Sequence, residues 1–199
     1  MLFSYFCVKP QFLKALLQKY RSVLRFVVLF MGSYLLMSLI YGWYLRWSQG
    51  GAYLPDWITN TVARQSTALL NTLGYDAQVL PHESLPTMKL YIGDYYLAHI
   101  IEGCNSVSVI ILFAAFIIAF AEGFKKTFFF ILAGSVLIYS VNLIRIAVLA
   151  IALYNYPEQE GFLHGVVFPA MIYGMVFVLW MLWIRTLKPK QPARATQMA

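Results

Sequence analysis

Three residues in this chain have side chains that packing alone does not readily explain. Cys104 lies in the string Ile101-Glu102-Gly103-Cys104-Asn105-Ser106, where a polar stretch turns into an apolar run. Arg145 interrupts a later apolar run, and His164 opens the last one. Together they offer a nucleophile, a fixed positive charge and a proton carrier. That is the set an acyl-transfer reaction through a thioester needs.

Each residue also has a plainer reading. A membrane cysteine is often a small buried hydrophobe. At a helix N-terminus, however, Cys104 meets unpaired N–H groups and the positive end of the dipole, which favour the thiolate and can hold an oxyanion. Gly103 before it would allow close approach, and Asn105 and Ser106 can cap the helix that begins there. Glu102 works against a thiolate unless it is paired. Arg145 can snorkel to an interface, but a guanidinium inside an apolar helix normally faces the bundle and finds a partner there. Its forked donors suit a carboxylate or an oxyanion in a way lysine does not. Asn142, three residues earlier, shares roughly the same helix face. His164 reads as an interfacial residue in isolation. Opposite a cysteine it is the group suited to take the thiol proton and return it to a leaving amine. His82 and His99 share that outer face but fall in a loop and a strand, so they rank behind it. No histidine spacing supports a metal site, no Gly-rich phosphate loop is present, and no CxxC accompanies Cys104. No cofactor is expected.

The elements that must position these groups are membrane helices. The 199 residues are 61% hydrophobic and only 12% charged, far from a soluble composition. Four apolar runs approach or exceed the ~20 residues that a spanning helix needs. They are 22–45, 104–121, 127–154 and 162–187. The net charge of +7 does not call for nucleic acid, because the basic residues cluster at one set of run ends. Lys9, Lys14, Lys19, Arg21 and Arg25 lie before or at the start of the first run. Lys125 and Lys126 separate the second and third, and Arg185, Lys188, Lys190 and Arg194 close the chain. The intervening stretches hold Asp56, Asp76, Glu83, Asp94, Glu102, Glu158 and Glu160. The positive-inside rule then puts residues 1–21 and the tail 188–199 in the cytoplasm, with residues 46–103 and the 155–161 loop outside. Some of the basic residues would also touch anionic lipid. Cys104 and His164 share the outer face, and Cys7 lies on the other side of the membrane.

Residues 14–19 read as a short basic amphipathic helix at the inner surface, and the first run as an uncleaved anchor. Tyr41, Trp43, Tyr44 and Trp47 mark the outer interface. Beyond them, Pro55-Asp56 opens an amphipathic helix capped by Asp56, with Ile58, Val62, Leu69 and Leu73 at helical spacing up to Gly74. Residues 88–92 and 95–101 form a β-hairpin around Gly93-Asp94, which delivers the chain to Cys104. Arg145 lies about 27 Å along its helix from Thr127, near the outer boundary. Pro169 is expected to kink the last helix. The fold expected is an all-α integral membrane protein, a four-transmembrane-helix bundle with a small extracytoplasmic helix and hairpin, in one domain.

Glu102-Gly-Cys104-Asn-Ser, then Asn142-Leu-Ile-Arg145-Ile, then His164 heading the last helix resemble the exosortase/archaeosortase family. The short chain and the wording around Cys104 are most similar to the exosortase F type of Bacteroidetes. The resemblance spans about residues 60–185 and implies a membrane-embedded cysteine transpeptidase of the bacterial inner membrane. Its substrates would be exported proteins ending in a short motif, a hydrophobic helix and a basic tail. Carried over, Cys104 is the nucleophile, His164 the acid/base and Arg145 the charge stabiliser. A plain intramembrane cysteine protease, an acyltransferase, or a non-catalytic assembly or anchoring subunit are the competing readings. Larger relatives have more spanning helices than this chain.

Overall fold

The computed structural model describes residues 18–48, 55–83 and 85–187. The tail 188–199 and Cys7 lie outside them, as does most of the basic stretch 14–19.

Among the described residues, three helices are long and apolar enough to cross a membrane. They are α1 (Arg21–Ser48), α4 (Phe124–Asn155) and the stretch Pro157–Thr186, whose regular part is α5 (Phe168–Thr186). At ~1.5 Å per residue, the 28 residues of α1 and the 32 of α4 reach beyond a hydrocarbon core about 30 Å thick. The second apolar run is shorter as a helix than its sequence suggests. Its helix, α3 (Val107–Ala119), has 13 residues and is about 20 Å long. The residues before it are used to build a turn instead.

α3 packs against α1, α4 and α5. Its centre is Phe113 and Ile117, which cluster with Ile138, Val176, Leu179 and Trp183, all buried. Gly134 of α4 has a packing reason to be glycine, because a Cβ there would land inside the Phe113 ring. α1 contributes no buried residue. Its side chains Val28, Leu35, Leu36 and Leu39 stay exposed, the pattern of a helix whose solvent is lipid rather than water.

The outer layer is a helix and a sheet seated on α4. In α2 (Trp57–Thr72), Asp56 is the N-cap and accepts from the amides of Ile58 and Thr59 at 2.9 and 3.1 Å. Tyr44 of α1 donates to the same carboxylate at 3.1 Å. The buried face of α2 is not the one the large apolar residues mark. Val62 and Leu70 are buried beside Thr59, Ala63 and Ser66, whereas Leu73 is exposed. Small residues let α2 lie close to α4, with Ile146, Ala147 and Ala150 in the shared core.

The sheet has three strands in the order β1 (Ala77–Pro81), β2 (Met88–Ile92), β3 (Tyr95–Ile100), both pairs antiparallel. The hairpin of β2 and β3 thus gains a third strand. Asn71 ties it to α2 by accepting from the Ala77 amide at 2.8 Å and donating to the Ala77 carbonyl at 3.2 Å. Gly93, at φ +56, makes the β2–β3 turn. Leu97 has no register partner, because Leu90 pairs with Ala98 and Tyr91 with Tyr96. This bulge puts Ile100 opposite buried Met88, and His99 opposite Lys89.

The bundle therefore has two unlike ends. At one, Arg25 of α1 meets Phe120 and Glu122 after α3 and Leu187 after α5 around a common groove. Lys126 there pairs with Glu122 at 2.9 Å and donates to the Thr186 carbonyl at 2.7 Å. At the other end stand α2, the sheet and the start of α3.

Candidate active site

β3 hands the chain to a 3-10 turn, Glu102–Cys104, in which the Cys104 amide donates to the Ile101 carbonyl at 2.8 Å. Cys104 therefore precedes α3 by a turn of its own instead of occupying the first turn of the helix. Ser106 is the N-cap residue and adopts φ 63, the one non-glycine with positive φ among the described residues. Such a conformation costs about 1–3 kcal/mol and persists only where surrounding contacts impose it. The contacts come from Asn105, which is fully buried. It accepts from the Val107 amide at 2.9 Å, and donates to Tyr41 Oη at 2.7 Å and Thr59 Oγ1 at 2.9 Å. Asn105 supplies the side-chain cap; Ser106 does not, since its hydroxyl turns back to the Asn105 carbonyl at 2.6 Å. One asparagine thus joins α1, α2 and the start of α3 next to the thiol. Gly103 has a looser role than expected. A Cβ there would meet only Ile101 Cδ1, at 3.9 Å.

Asn142 Nδ2 donates to the Cys104 carbonyl at 2.7 Å. One helical turn on, Arg145 is half-buried. Its Nε is buried with no hydrogen-bond partner among the described residues. Unlike a structural membrane arginine, it has no carboxylate partner there.

His164 lies in a π-helical turn, Leu163–Val167, between Glu160–Phe162 and α5. The irregularity of this last helix is here, before Pro169, which sits in the first turn of α5 where its missing N–H costs nothing. The widened turn closes with the Phe168 amide on the Leu163 carbonyl. It places an exposed His164 with its ring 6.3 Å from that of Phe168.

Cys104, Arg145 and His164 line one small cavity of about 20 Å³ with Leu90, Ala98, Ile100, Ile146 and Leu149. That is room for one water. Among its walls Arg145 is the only residue that always carries a charge, with apolar side chains around it. Glu102 is half-buried in the turn and is not among the wall residues. His99 is a wall residue as well. Thr87 Oγ1 lies 3.3 Å from His99 Nδ1, and the His82 and Tyr96 rings are each 5.3 Å from the His99 ring. Partial desolvation, then the charges of Lys89 and His99, hold the His82 imidazole below its ordinary pKa. Burial, then Tyr91 and Glu160, push the Tyr96 phenol up. Among the described residues no group of histidine, cysteine and acidic side chains could hold a metal ion.

His164, His99 and Ala98 also line a second, more open groove of about 400 Å³, with Tyr96, Leu97, Leu153, Pro157 and Glu160. The two spaces share Ala98, His99 and His164 in their walls, and the groove is large enough for several residues of a peptide.

Comparisons with curated proteins and with solved structures give no match. The chain does match the transmembrane exosortase family over residues 15–184, a span that reaches from before α1 into the last turn of α5. This multi-pass membrane protein belongs to the transmembrane exosortase family.

Proposed function

We propose that the chain is a cysteine transpeptidase that cleaves C-terminal sorting signals of exported proteins at the outer face of the bacterial inner membrane. The observation that carries the reading is the shared cavity of Cys104, Arg145 and His164, drawn from three separate elements. In the reaction, His164 takes the thiol proton and Cys104 Sγ attacks the carbonyl carbon of the scissile peptide bond. Arg145, whose Nε has no other partner among the described residues, stabilises the oxyanion of the tetrahedral intermediate. The C–N bond breaks, His164 returns the proton to the leaving amine, and a thioester on Cys104 remains. An acceptor amine, or water, then attacks that carbonyl and gives its proton to His164. The C–S bond breaks and the thiolate is restored. Asn142 and Asn105 hold the nucleophile's backbone in place.

The topology follows from the two ends of the bundle. The basic end, with Arg25 and Lys126, faces the cytoplasm, and the sheet, α2 and the cavity face outward. α3 with the turn before it completes a fourth crossing, and the substrate's apolar tail packs on lipid-exposed helix faces. The Glu102–Ser106 string favours the F type.

The test is the mass of a candidate exported protein in the host membrane, with and without this enzyme. Cys104→Ser should leave the substrate's tail attached. A serine variant that trims normally supports the assembly-subunit reading instead.

A further inference from the structure

β3 is an edge strand. Among the described residues, β2 pairs with one side of it and no strand pairs with the other. By register Tyr96 and His99 stand on one face of the sheet, opposite Tyr91 and Lys89, and Ala98 on the other, opposite Leu90, with the bulged Leu97 between them, yet all four line the 400 Å³ groove. Consecutive residues wall a single space only when the strand presents its edge to it. The opposite wall is Leu153, Pro157, Glu160 and His164, from the end of α4 and the head of the last helix. Ala98, His99 and Ile100 continue the same edge into the cavity of Cys104. None of the backbone groups of 95–100 makes a main-chain hydrogen bond outside the sheet among the described residues.

We propose that the substrate's cleavage segment binds as an extended strand added to the free edge of β3, running along the groove to Cys104. This rests on the transpeptidase reading and names how that site holds its substrate. An unpaired strand edge is a template for another chain, and strand addition binds through main-chain hydrogen bonds with pockets for alternate side chains. The edge is directly continuous with the thiol's cavity, which makes an extended peptide the occupant. β3 has 6 residues, or about 20 Å of edge. A segment of about four to six residues would be read, half of its amides facing β3 and half facing away.

The test uses peptidyl chloromethyl ketones, Ac-(Ala)n-CH2Cl with n from 1 to 5, on the full chain in lipid vesicles. The measured quantity is the rate of alkylation at Cys104, with iodoacetamide as a reference that has no peptide. All variation is in the probe, so no variant has to fold. The expected result is a rate that climbs with n. N-methylation at alternate residues of the longest probe should lower it about threefold to tenfold per blocked bond, and methylation at the interleaved residues should leave it unchanged. Rates that exceed the iodoacetamide reference but are indifferent to length and to N-methylation would overturn strand addition while leaving the thiol catalytic. If no chloromethyl ketone labels Cys104 faster than iodoacetamide, the transpeptidase reading fails and this proposal falls with it.

Discussion

Asn142 Nδ2 donates to the carbonyl oxygen of Cys104 at 2.7 Å. The helix that carries Arg145 therefore also grips the turn that carries the thiol. Two groups 38 residues apart in sequence are held in one frame, because α4 cannot move Arg145 without moving the Cys104 backbone.

Replacing Asn142 with leucine keeps the volume but leaves that carbonyl unpaired in a buried setting, a cost of about 1–3 kcal/mol. The turn should relax by enough to misplace the thiol, and misplacements of about 1 Å can cost 100-fold in rate. Substrate processing by Asn142→Leu should slow roughly 100-fold at matched abundance, while iodoacetamide still reaches Cys104. An unchanged processing rate would show that the contact does not position the nucleophile.

Arg145 should trade stability for function. Its Nε is buried without a partner among the described residues, so Arg145→Met removes an unsatisfied donor and adds apolar contact. The melting temperature in detergent should stay level or rise while processing is lost. Arg145→Lys keeps the charge without the fork and should still lose 100-fold or more. A lower melting temperature for the methionine variant would mean that the guanidinium is a structural tie.

The α3–α4 contact is set by Gly134. A side chain there must displace the Phe113 ring, which is fully buried, and overpacking of this kind costs about 1–3 kcal/mol. Gly134→Val should melt several degrees lower than wild type, and adding Phe113→Leu should restore part of the loss. Equal melting curves would contradict close packing at this point.

The apolar runs, the Asp56 cap, and Cys104, Arg145 and His164 as polar groups out of place in apolar surroundings were legible in the sequence. They rest on local signals: composition, capping chemistry, and polar groups that are conspicuous in apolar surroundings. What sequence could not give depends on tertiary partners. β1 has no clear period and ends in proline, so only its pairing with β2 makes it a strand. The buried face of α2 is set by Thr59, Ala63 and Ser66, small residues chosen by closeness to α4 and not by hydrophobicity. The face that His99 takes depends on the bulge at Leu97, and the edge of a strand is invisible until the strand order is known. In the sequence Asn105 and Ser106 both offer a capping side chain, and only tertiary contacts separate their roles. Asn105 caps through its side chain, and Ser106 takes the left-handed backbone that lets Cys104 stand before the helix.

The central claim is that Cys104, Arg145 and His164 act as one site. The direct measurement compares wild type with Cys104→Ala, Arg145→Ala and His164→Ala at matched expression in the host membrane, following removal of a substrate's C-terminal tail by mass. The account predicts that wild type removes the tail and that all three variants leave it attached. Continued trimming by Cys104→Ala would contradict cysteine catalysis in this chain.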